Sequence, residues 1–372
     1  MGYARGLAAA FGVFGLWWGA WAACLPAVRR TTDASTAKLG LALLAVSLVA
    51  LPTMILVGRV ADRLAGRLVA PTLLAFAVTG ALPAFADDVP TLALLLALVG
   101  AATGALDVAV NAAAADLESH RGVRVMDGLH AFFSVGVLCG GVGGGLARRA
   151  GASPREILAG AAVAAAVAAF ANRGGRSHQA AAPPGPSLVR RLLGVGVILG
   201  IAFVVESGLE QWSSVYLEDS LGSGPAVSGL GPGLFAASMA TGRILAQRTS
   251  RGTASARIAF AGIAAAAGIA IAVAAHQPGI ALLGFVTAGA GLALSAPTLF
   301  GEAGRLAGEG RRGAGISTVA VLSYTGFLVG PPLFGAVAGA TSVRGGFVLL
   351  CGTAVLLALA SGRLRRRPES EA

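Results

Sequence analysis

Charged residues and cysteines are scarce in this sequence, and the two shortages exclude an ordinary soluble domain. Only 12% of the 372 residues are charged, whereas a soluble domain carries about 25%. The three cysteines, Cys24, Cys139 and Cys351, each fall inside an apolar run, without paired or metal-ligand spacing. We therefore interpret them as small packing residues and expect no metal site.

Catalytic and nucleotide-binding motifs are also missing. The sequence has no phosphate-binding loop of the form GxxxxGK[ST], so we do not expect ATP to drive this chain directly. It shows no nucleophile–base set, and the polar loops between its apolar runs are too short to hold a separate enzyme domain. We therefore predict a protein that is not an enzyme and that uses no cofactor.

Basic residues outnumber acidic ones and give a net charge of +11, but they form no single patch. Because they are scattered between apolar runs, we expect no binding to nucleic acid. They suit topology signals better, since cytoplasmic loops of membrane proteins are rich in Lys and Arg. With the N-terminus placed inside, most of the 28 basic residues fall on that side. We predict a multi-pass protein of the inner or plasma membrane with both termini in the cytoplasm.

Long apolar runs are abundant, and they determine the predicted fold class. The chain is 56% hydrophobic, with a mean hydropathy of +0.78. A membrane-spanning helix needs about 20 largely apolar residues. Twelve runs are of this kind, at 5–25, 39–57, 68–86, 91–114, 128–149, 154–172, 191–217, 226–247, 255–275, 280–300, 314–339 and 345–362. They predict an all-α membrane protein with twelve transmembrane helices, the first of which is retained rather than cleaved as a signal.

The longest polar gap between the runs divides the predicted helices into two sets of six. It spans 173–190 and contains several glycines and prolines, as flexible linkers do. We predict an N-terminal six-helix bundle over 1–172 and a cytoplasmic linker over 173–190. A C-terminal six-helix bundle follows over 191–362, and a basic cytoplasmic tail over 363–372.

Glycines recur at four-residue spacing in two of the predicted helices. They are Gly136, Gly140 and Gly144 in the fifth helix and Gly326 and Gly330 in the eleventh, the last followed by Pro331. Small residues at this spacing let a neighbouring helix approach closely. The correspondence between the two helices favours a duplicated six-helix unit, which is one of the known plans of transporters.

Three carboxylates, Asp107, Glu206 and Glu210, lie well inside apolar runs. A charge in hydrocarbon is expensive, so such a residue normally faces a protein interior or a water-filled cavity. Glu206 and Glu210 share one helix face, and no basic residue of the same helix offsets them. Two carboxylates this close in an apolar setting favour proton uptake by one of them. The alternative is that Glu210 merely lines a wet vestibule.

Asp107 forms a second polar site with Asn111, which follows four residues later on the same helix face. One interpretation is a site for solute or protons near the centre of the membrane. The other is a structural hydrogen bond that holds the fourth helix in register. We predict that protons are coupled through Glu206 or Asp107.

Four further side chains are candidate contacts of a solute or a proton. His130 starts the fifth predicted helix, where it could relay protons or be a solvated or carbonyl-bonded group at the helix end. Trp21 and Trp212 occupy equivalent positions in the two halves. They could stack on a sugar-like solute or belong to an interfacial aromatic belt. Tyr324, in the eleventh helix, could donate a hydrogen bond into the cavity.

The segment 58–67 carries the most specific family motif, and it reads GRVADRLAGR. It resembles the signature Gly-x-x-x-Asp-Arg-x-Gly-Arg between helices two and three of the major facilitator superfamily, with one extra residue before its second glycine. The resemblance covers essentially the whole chain and implies the major facilitator fold. It also implies that Gly58, Asp62 and Arg63 belong to a cytoplasmic gate, in which the carboxylate interacts with the start of the eleventh helix.

Other phrases narrow the resemblance within the superfamily. The segments DVAVN at 107–111 and LHAFFS at 129–134 are similar to the fucose-permease-related branch that contains the YbjJ-type proteins. The fifth helix resembles a glycine motif of antiporters, with Gly141 in place of the motif's proline.

These features predict a secondary active transporter of a small solute, sugar-like or otherwise polar, that is proton-coupled and works by alternating access. One alternative is proton-driven efflux of amphipathic, drug-like compounds. Another is a non-transporting membrane sensor with the same fold. We expect the partners to be the solute, protons and the lipid bilayer, and we expect the chain to act as a monomer.

Overall fold

A computed structural model describes residues 2–121, 125–173, 186–248, 252–308 and 311–364, and every regular element in these ranges is helical. Two short 3₁₀ segments, Leu82–Phe85 and Ser361–Leu364, accompany the α-helices. The α-helices are α1 Gly2–Thr31, α2 Thr36–Ala81, α3 Val89–Arg121, α4 Met126–Arg149, α5 Pro154–Ala171, α6 Pro186–Asp219, α7 Pro225–Ser228, α8 Leu230–Arg248, α9 Ala254–Ala274, α10 Pro278–Leu292, α11 Ser295–Ala307, α12 Arg312–Ser323, α13 Thr325–Ala340 and α14 Val343–Ala360.

The predicted all-α membrane fold is confirmed. Eleven segments of the described chain are long and apolar enough to cross a membrane. They correspond to eleven of the twelve predicted runs, and α7 together with α8 forms the twelfth, predicted at 226–247. Residues 174–185 of the predicted linker, and the tail from residue 365 onward, lie outside the described residues.

The connection between the second and third predicted helices differs from the prediction, because the backbone of 58–67 is helical and α2 is continuous. Alanine, leucine and arginine, which favour helix, occupy most positions between Gly58 and Gly66. α2 is not straight, however, because its two parts run in opposite directions. Val46 and Ala50 pair in the same order with Gly100 and Gly104 of α3, so the first part of α2 runs parallel to α3. The second part leads into α3 through a tight turn.

Three predicted helices are broken, and two of the breaks follow from proline. Pro297 lacks the N–H that would bond to the carbonyl of Ala293, and α10 gives way to α11 at this residue. Pro232 has the same relation to Ser228, where α7 ends before α8 begins. The third break, at Tyr324, separates α12 from α13.

Pro331 lies inside α13, and a neighbouring helix compensates for the bond that it cannot make. The carbonyl of Phe327, four residues earlier, accepts a hydrogen bond of 3.1 Å from Ser47 Oγ of α2. A proline is therefore tolerated in this helix because the other half of the molecule satisfies the freed oxygen.

Glycines set the closest helix contacts in each half of the molecule. Gly136 of α4 lies against Gly12 of α1, and Gly140, one turn further on, lies against Leu16. Gly144 continues this buried row beside α1. The order of the contacts shows that α1 and α4 run parallel.

The second half, 186–364, repeats this arrangement. Gly326 of α13 lies against Gly200 of α6, and Gly330 lies against Val204. The first and fifth helices of each half are thus joined by the same kind of glycine contact. The structure places the predicted packing glycines of both halves at these contacts.

The halves meet along two further glycine contacts. Gly40 of α2 lies against Gly335 of α13, and Gly141 and Gly145 of α4 lie against Gly229, between α7 and α8. Because α4 runs parallel to α1 and α13 runs parallel to α6, both contacts lie at the end of the bundle where α1 and α6 terminate. We call this the Glu218 end, after a residue of the last turn of α6.

Candidate transport site

Asp107 of α3 lies at the first of two polar clusters between the helices. Asn111 Nδ2 donates to Asp107 Oδ1 at 3.0 Å and to the Asp107 carbonyl oxygen at 2.9 Å. Tyr324 Oη donates to Asp107 Oδ2 at 2.6 Å. Both carboxylate oxygens therefore accept a hydrogen bond, one from the same helix and one from the opposite half of the molecule.

The break between α12 and α13 positions Tyr324. Its ring lies 5.6 Å from that of Phe327, which in turn lies 4.7 Å from the ring of Phe203 on α6. Three aromatic side chains thus connect the Asp107 cluster to α6, one turn before Glu206. The sequence suggested a hydrogen-bond donor at Tyr324, and the structure supplies its acceptor, Asp107.

Glu206 of α6 forms the second cluster with a residue that sequence reasoning did not assign to the site. Arg243 Nη2 of α8 lies 3.8 Å from Glu206 Oε1, and the two side chains are 28% and 15% exposed, respectively. The sequence argument considered only cations of the same helix, and the structure supplies one from α8. The sequence did contain a signal for this residue, because Arg243 lies inside the apolar run 226–247. It was counted instead among the basic residues that set the topology.

The Glu206–Arg243 pair is loose and incompletely bonded. A separation of 3.8 Å is long for an ion pair that shares a hydrogen bond. Arg243 Nε is buried and has no hydrogen-bond partner. Glu210, one turn along α6, has Glu206 and Arg243 as its electrostatic neighbours. The guanidinium therefore pairs with Glu206, lies within electrostatic range of Glu210, and has one donor without a hydrogen-bond partner.

His130, the remaining titratable candidate, belongs to the first half of the molecule. It lies in the first turns of α4, is partly buried, and packs edge-on against Phe11 with the ring centres 5.2 Å apart. Arg243 is its electrostatic neighbour. His130 is therefore packed against α1, and its role as a proton relay stays a prediction.

Trp21 and Trp212 are both 0% exposed. Trp21 stacks on Trp17 with ring centres 5.8 Å apart, and Trp212 stacks on Phe334 at 4.6 Å. Side chains of an aromatic belt face the membrane surface, so the belt interpretation is wrong for these two. In this conformation neither ring is open to a solute, and solute stacking stays a prediction.

The predicted cytoplasmic gate is described only in part. Gly58 lies in α2 with open space in front of its Cα. The side chains of Asp62 and Arg63 lie outside the described residues. Within the part of the chain that the structure describes, no group of three His, Cys, Asp or Glu residues could hold a metal ion.

The clusters can perform two kinds of chemistry. Carboxylates beside exchangeable partners can bind and release protons. Hydroxyl, amide and guanidinium groups that project between the two halves can hydrogen-bond a polar solute. Because Asp107 is bonded to the opposite half, relative motion of the halves must change its hydrogen bonds.

Comparison with known sequences gives one family across most of the chain. The profile of the Major Facilitator Superfamily matches residues 6–324. An uncharacterised transporter of Sinorhizobium fredii, y4wD, is 30% identical over 97% of this chain and 98% of its own length. An uncharacterised MFS-type transporter of Yersinia pestis is 29% identical over 91% of this chain and 89% of its own length.

Solved structures give the same fold at low sequence identity. A point mutant of the nucleoside transporter NupG superposes with a TM-score of 0.80 at 14% identity, covering 97% of this chain and 99% of NupG. A bacterial homologue of the human lysosomal transporter Spinster superposes with a TM-score of 0.75 at 15% identity, covering 100% of this chain and 98% of the homologue.

Proposed function

The chain belongs to the Major Facilitator Superfamily, and we propose that it couples the passage of a small polar solute to the passage of protons by alternating access. The family assignment confirms the resemblance to the superfamily and makes the protein a membrane transporter rather than an enzyme; the narrower branch stays a prediction. The coupling, the solute class and the direction of transport are the proposal.

The pairing of Glu206 with Arg243 is the observation that carries this proposal. A carboxylate inside a membrane bundle is retained against a large desolvation cost, so it normally has a function. Glu206 is 15% exposed and faces a guanidinium that it holds only loosely. A proton can therefore reach Glu206. Once Glu206 is protonated it is neutral, so the ion pair with Arg243 is lost and no negative charge remains at this position.

Protonation of Glu206 would change what Arg243 can bind. While Glu206 is charged, it offsets the guanidinium at 3.8 Å. Once Glu206 is neutral, the donors of Arg243 turn to Glu210 or to polar groups of a solute. Occupancy by the solute and occupancy by the proton are coupled in this way, as a secondary transporter requires.

The Asp107–Tyr324 hydrogen bond would connect the site to the motion of the halves. It joins α3 to the break between α12 and α13 at 2.6 Å. A solute that competes for either group exchanges this bond for its own bonds. Solute binding would thus alter how firmly the two halves are joined beside the site.

Purified protein in proteoliposomes that contain the pH indicator pyranine tests the coupling directly. Hexoses, sugar alcohols, nucleosides and carboxylates would be added one at a time, after a thermal-shift screen has selected those that stabilise the protein. We expect at least one of them to change the internal pH only in liposomes that contain protein. A radiolabelled solute that crosses the membrane without any proton movement would contradict proton coupling. A failure of every solute to cross would favour the sensor.

We also propose that the protein lies in the cell membrane with the Glu218 end outside and both termini in the cytoplasm. In a variant with the three native cysteines replaced by alanine, Gln277→Cys would place a thiol at the Glu218 end and Arg311→Cys one at the opposite end. Both native residues are exposed. We expect an impermeant thiol reagent to label only the Gln277→Cys protein in intact cells, because the positive-inside rule puts Arg311 in the cytoplasm. The reverse pattern would invert the orientation, and lysed cells provide the labelling control.

A further inference from the structure

We propose that Glu218 is the shared anion of an ionic gate that closes the Glu218 end of the transporter. The gate consists of Glu218 and Asp219 on α6 together with Arg29, Arg30 and Arg148. The inference rests on the proposed alternating access, and it assigns the residues that must separate before this end opens.

Glu218 binds two arginines from different helices. Arg148 Nη1 lies 2.6 Å from Glu218 Oε1 and Arg148 Nη2 lies 3.2 Å from Oε2, which is a two-pronged contact. Arg30 Nη1 lies 3.0 Å from Oε2. One carboxylate thus holds the ends of α1 and α4 against the end of α6.

A second ion pair stands beside the first. Asp219 Oδ2 lies 2.9 Å from Arg29 Nη2. Every arginine of the gate belongs to the first half of the molecule, and both carboxylates belong to the second. All of these ion pairs therefore cross the boundary between the halves, and all must break if the halves part here.

The central pair is largely sealed from water. The Arg148 and Glu218 side chains are only 5% and 8% exposed. At the same end of the bundle, Arg155 and Asp87 lie 3.6 Å apart, are 51% and 82% exposed, and both belong to the first half. Exposed pairs contribute little because water and salt screen them, whereas the Arg148–Glu218 pair is largely protected from this screening. The Arg155–Asp87 pair is therefore a natural control.

Each member of the central pair has a second bond within its own half. Arg148 Nη1 also donates to the carbonyl oxygen of Ala23 at 2.6 Å. Glu218 Oε1 also accepts from Ser228 Oγ at 2.7 Å. When the halves separate, neither charge is left without a partner, which lowers the cost of opening.

The surfaces around the gate are suited to separation. Gly141 and Gly145 meet Gly229 through backbone atoms, and Gly40 meets Gly335 in the same way. The atoms nearest to these glycines across the boundary are backbone atoms. Rigid halves can part at these contacts without repacking, so the ion pairs are the charged attraction that keeps the end closed.

A buried thiol at the boundary between the halves reports directly on opening. Ser214 is 0% exposed, and its Oγ donates to the carbonyl oxygen of Ala22 in the opposite half. In the variant without native cysteines, Ser214→Cys would be reacted with a charged methanethiosulfonate reagent on purified protein in detergent. We expect Glu218→Gln to raise the labelling rate on the order of tenfold, because it weakens an attraction that exists only in the closed form.

Four comparisons separate a gate from general destabilisation. Asp87→Asn, which removes the pair within one half, should leave the labelling rate unchanged. Arg148→Gln should act like Glu218→Gln, and the double variant should label no faster than the faster single variant, since one interaction is being removed. Ser207→Cys, a thiol at a position that is 0% exposed inside the second half, should stay unreactive throughout.

Two results would overturn the gate. One is a folded Glu218→Gln protein that labels at the parental rate. The other is equal labelling of the Ser207 and Ser214 reporters, which would mean unfolding. If Glu218→Gln does not fold, Arg30→Gln replaces it, because the Arg30 side chain is about half exposed, and its expected increase is roughly twofold to threefold. The assay needs neither solute nor pH gradient, so it can fail while proton-coupled flux is still observed, or succeed while coupling fails.

Discussion

Glu206→Gln is expected to reduce proton-driven accumulation of solute to its equilibrium level while exchange of solute across the membrane continues. The amide has the shape and neutrality of a protonated carboxyl group, so the site can still assemble around a solute. It cannot release or take up a proton, so a pH gradient can no longer drive net movement. The substitution also removes the only carboxylate that forms an ion pair with Arg243 in the described part of the chain.

The size of the effect follows from the driving force. A gradient of one pH unit is worth about 1.4 kcal/mol per proton, which supports roughly tenfold accumulation when one proton moves with each solute. We therefore expect the ratio of internal to external solute to fall from about ten to about one. The measurement is uptake of a radiolabelled solute, one that the pyranine assay has identified, into proteoliposomes with an imposed pH gradient. Counterflow without a gradient measures exchange.

Glu210→Gln is the matched comparison, since it changes the same kind of side chain one turn away on the same helix. It leaves the Glu206–Arg243 contact in place, so we expect accumulation to persist. Equal loss of accumulation in both variants would mean that the two carboxylates act as one proton site. Wild-type accumulation in Glu206→Gln would remove Glu206 from the mechanism and leave Asp107, with its partners Asn111 and Tyr324, as the next candidate.

The fold was largely predictable because a membrane span is a local property of the sequence. A run of about 20 apolar residues can be recognised as a membrane span without knowing how the rest of the chain folds. Two helix breaks could also have been predicted from Pro232 and Pro297. A proline has no N–H to bond to the carbonyl four residues earlier, so the helix tends to break there. The continuous helical backbone of 58–67 was harder to foresee, because a polar segment between two apolar runs looks like a loop whatever its helix propensity.

The site was predictable only one residue at a time. Asp107, Glu206 and Tyr324 stand out because polar groups are expensive in a membrane, but the partner of each depends on how distant helices pack. The bond from Tyr324 to Asp107 joins positions 217 residues apart. Arg243 and Arg148 were missed for a related reason. The positive-inside rule accounts for an arginine near a membrane surface without asking what it binds, so ion pairs between distant helices were not predicted.

Glycine packing is where a single added methyl group should have the largest effect on folding. A Cβ at position 140 would overlap the backbone carbonyl oxygen of Leu16 and approach the backbone nitrogen of Ala20 to 2.8 Å. Both are backbone atoms of a neighbouring helix, so no side chain can turn away to make room. Gly140→Ala must push α1 and α4 apart along their glycine contact, and we expect it to lower stability by about 1–3 kcal/mol.

The same helix offers the control. Gly143 is exposed, has nothing within 4 Å of an added Cβ, and borders a cavity of about 300 Å³ between α1, α4 and α5. Alanine favours helix over glycine by up to about 1 kcal/mol, so Gly143→Ala should be neutral or slightly stabilising. Gly144→Ala, whose Cβ would lie 3.1 Å from that of Ala23, should fall between the two.

Melting temperatures of the purified variants in detergent would therefore rank Gly143→Ala highest, Gly144→Ala next and Gly140→Ala lowest. Helix propensity alone predicts that all three substitutions stabilise the protein, because each replaces glycine with alanine inside α4. Only the close approach of α1 makes the sign of the stability change depend on which glycine is replaced. A Gly140→Ala protein that melts at or above the temperature of the wild type would show that α1 and α4 are not in backbone contact at this position.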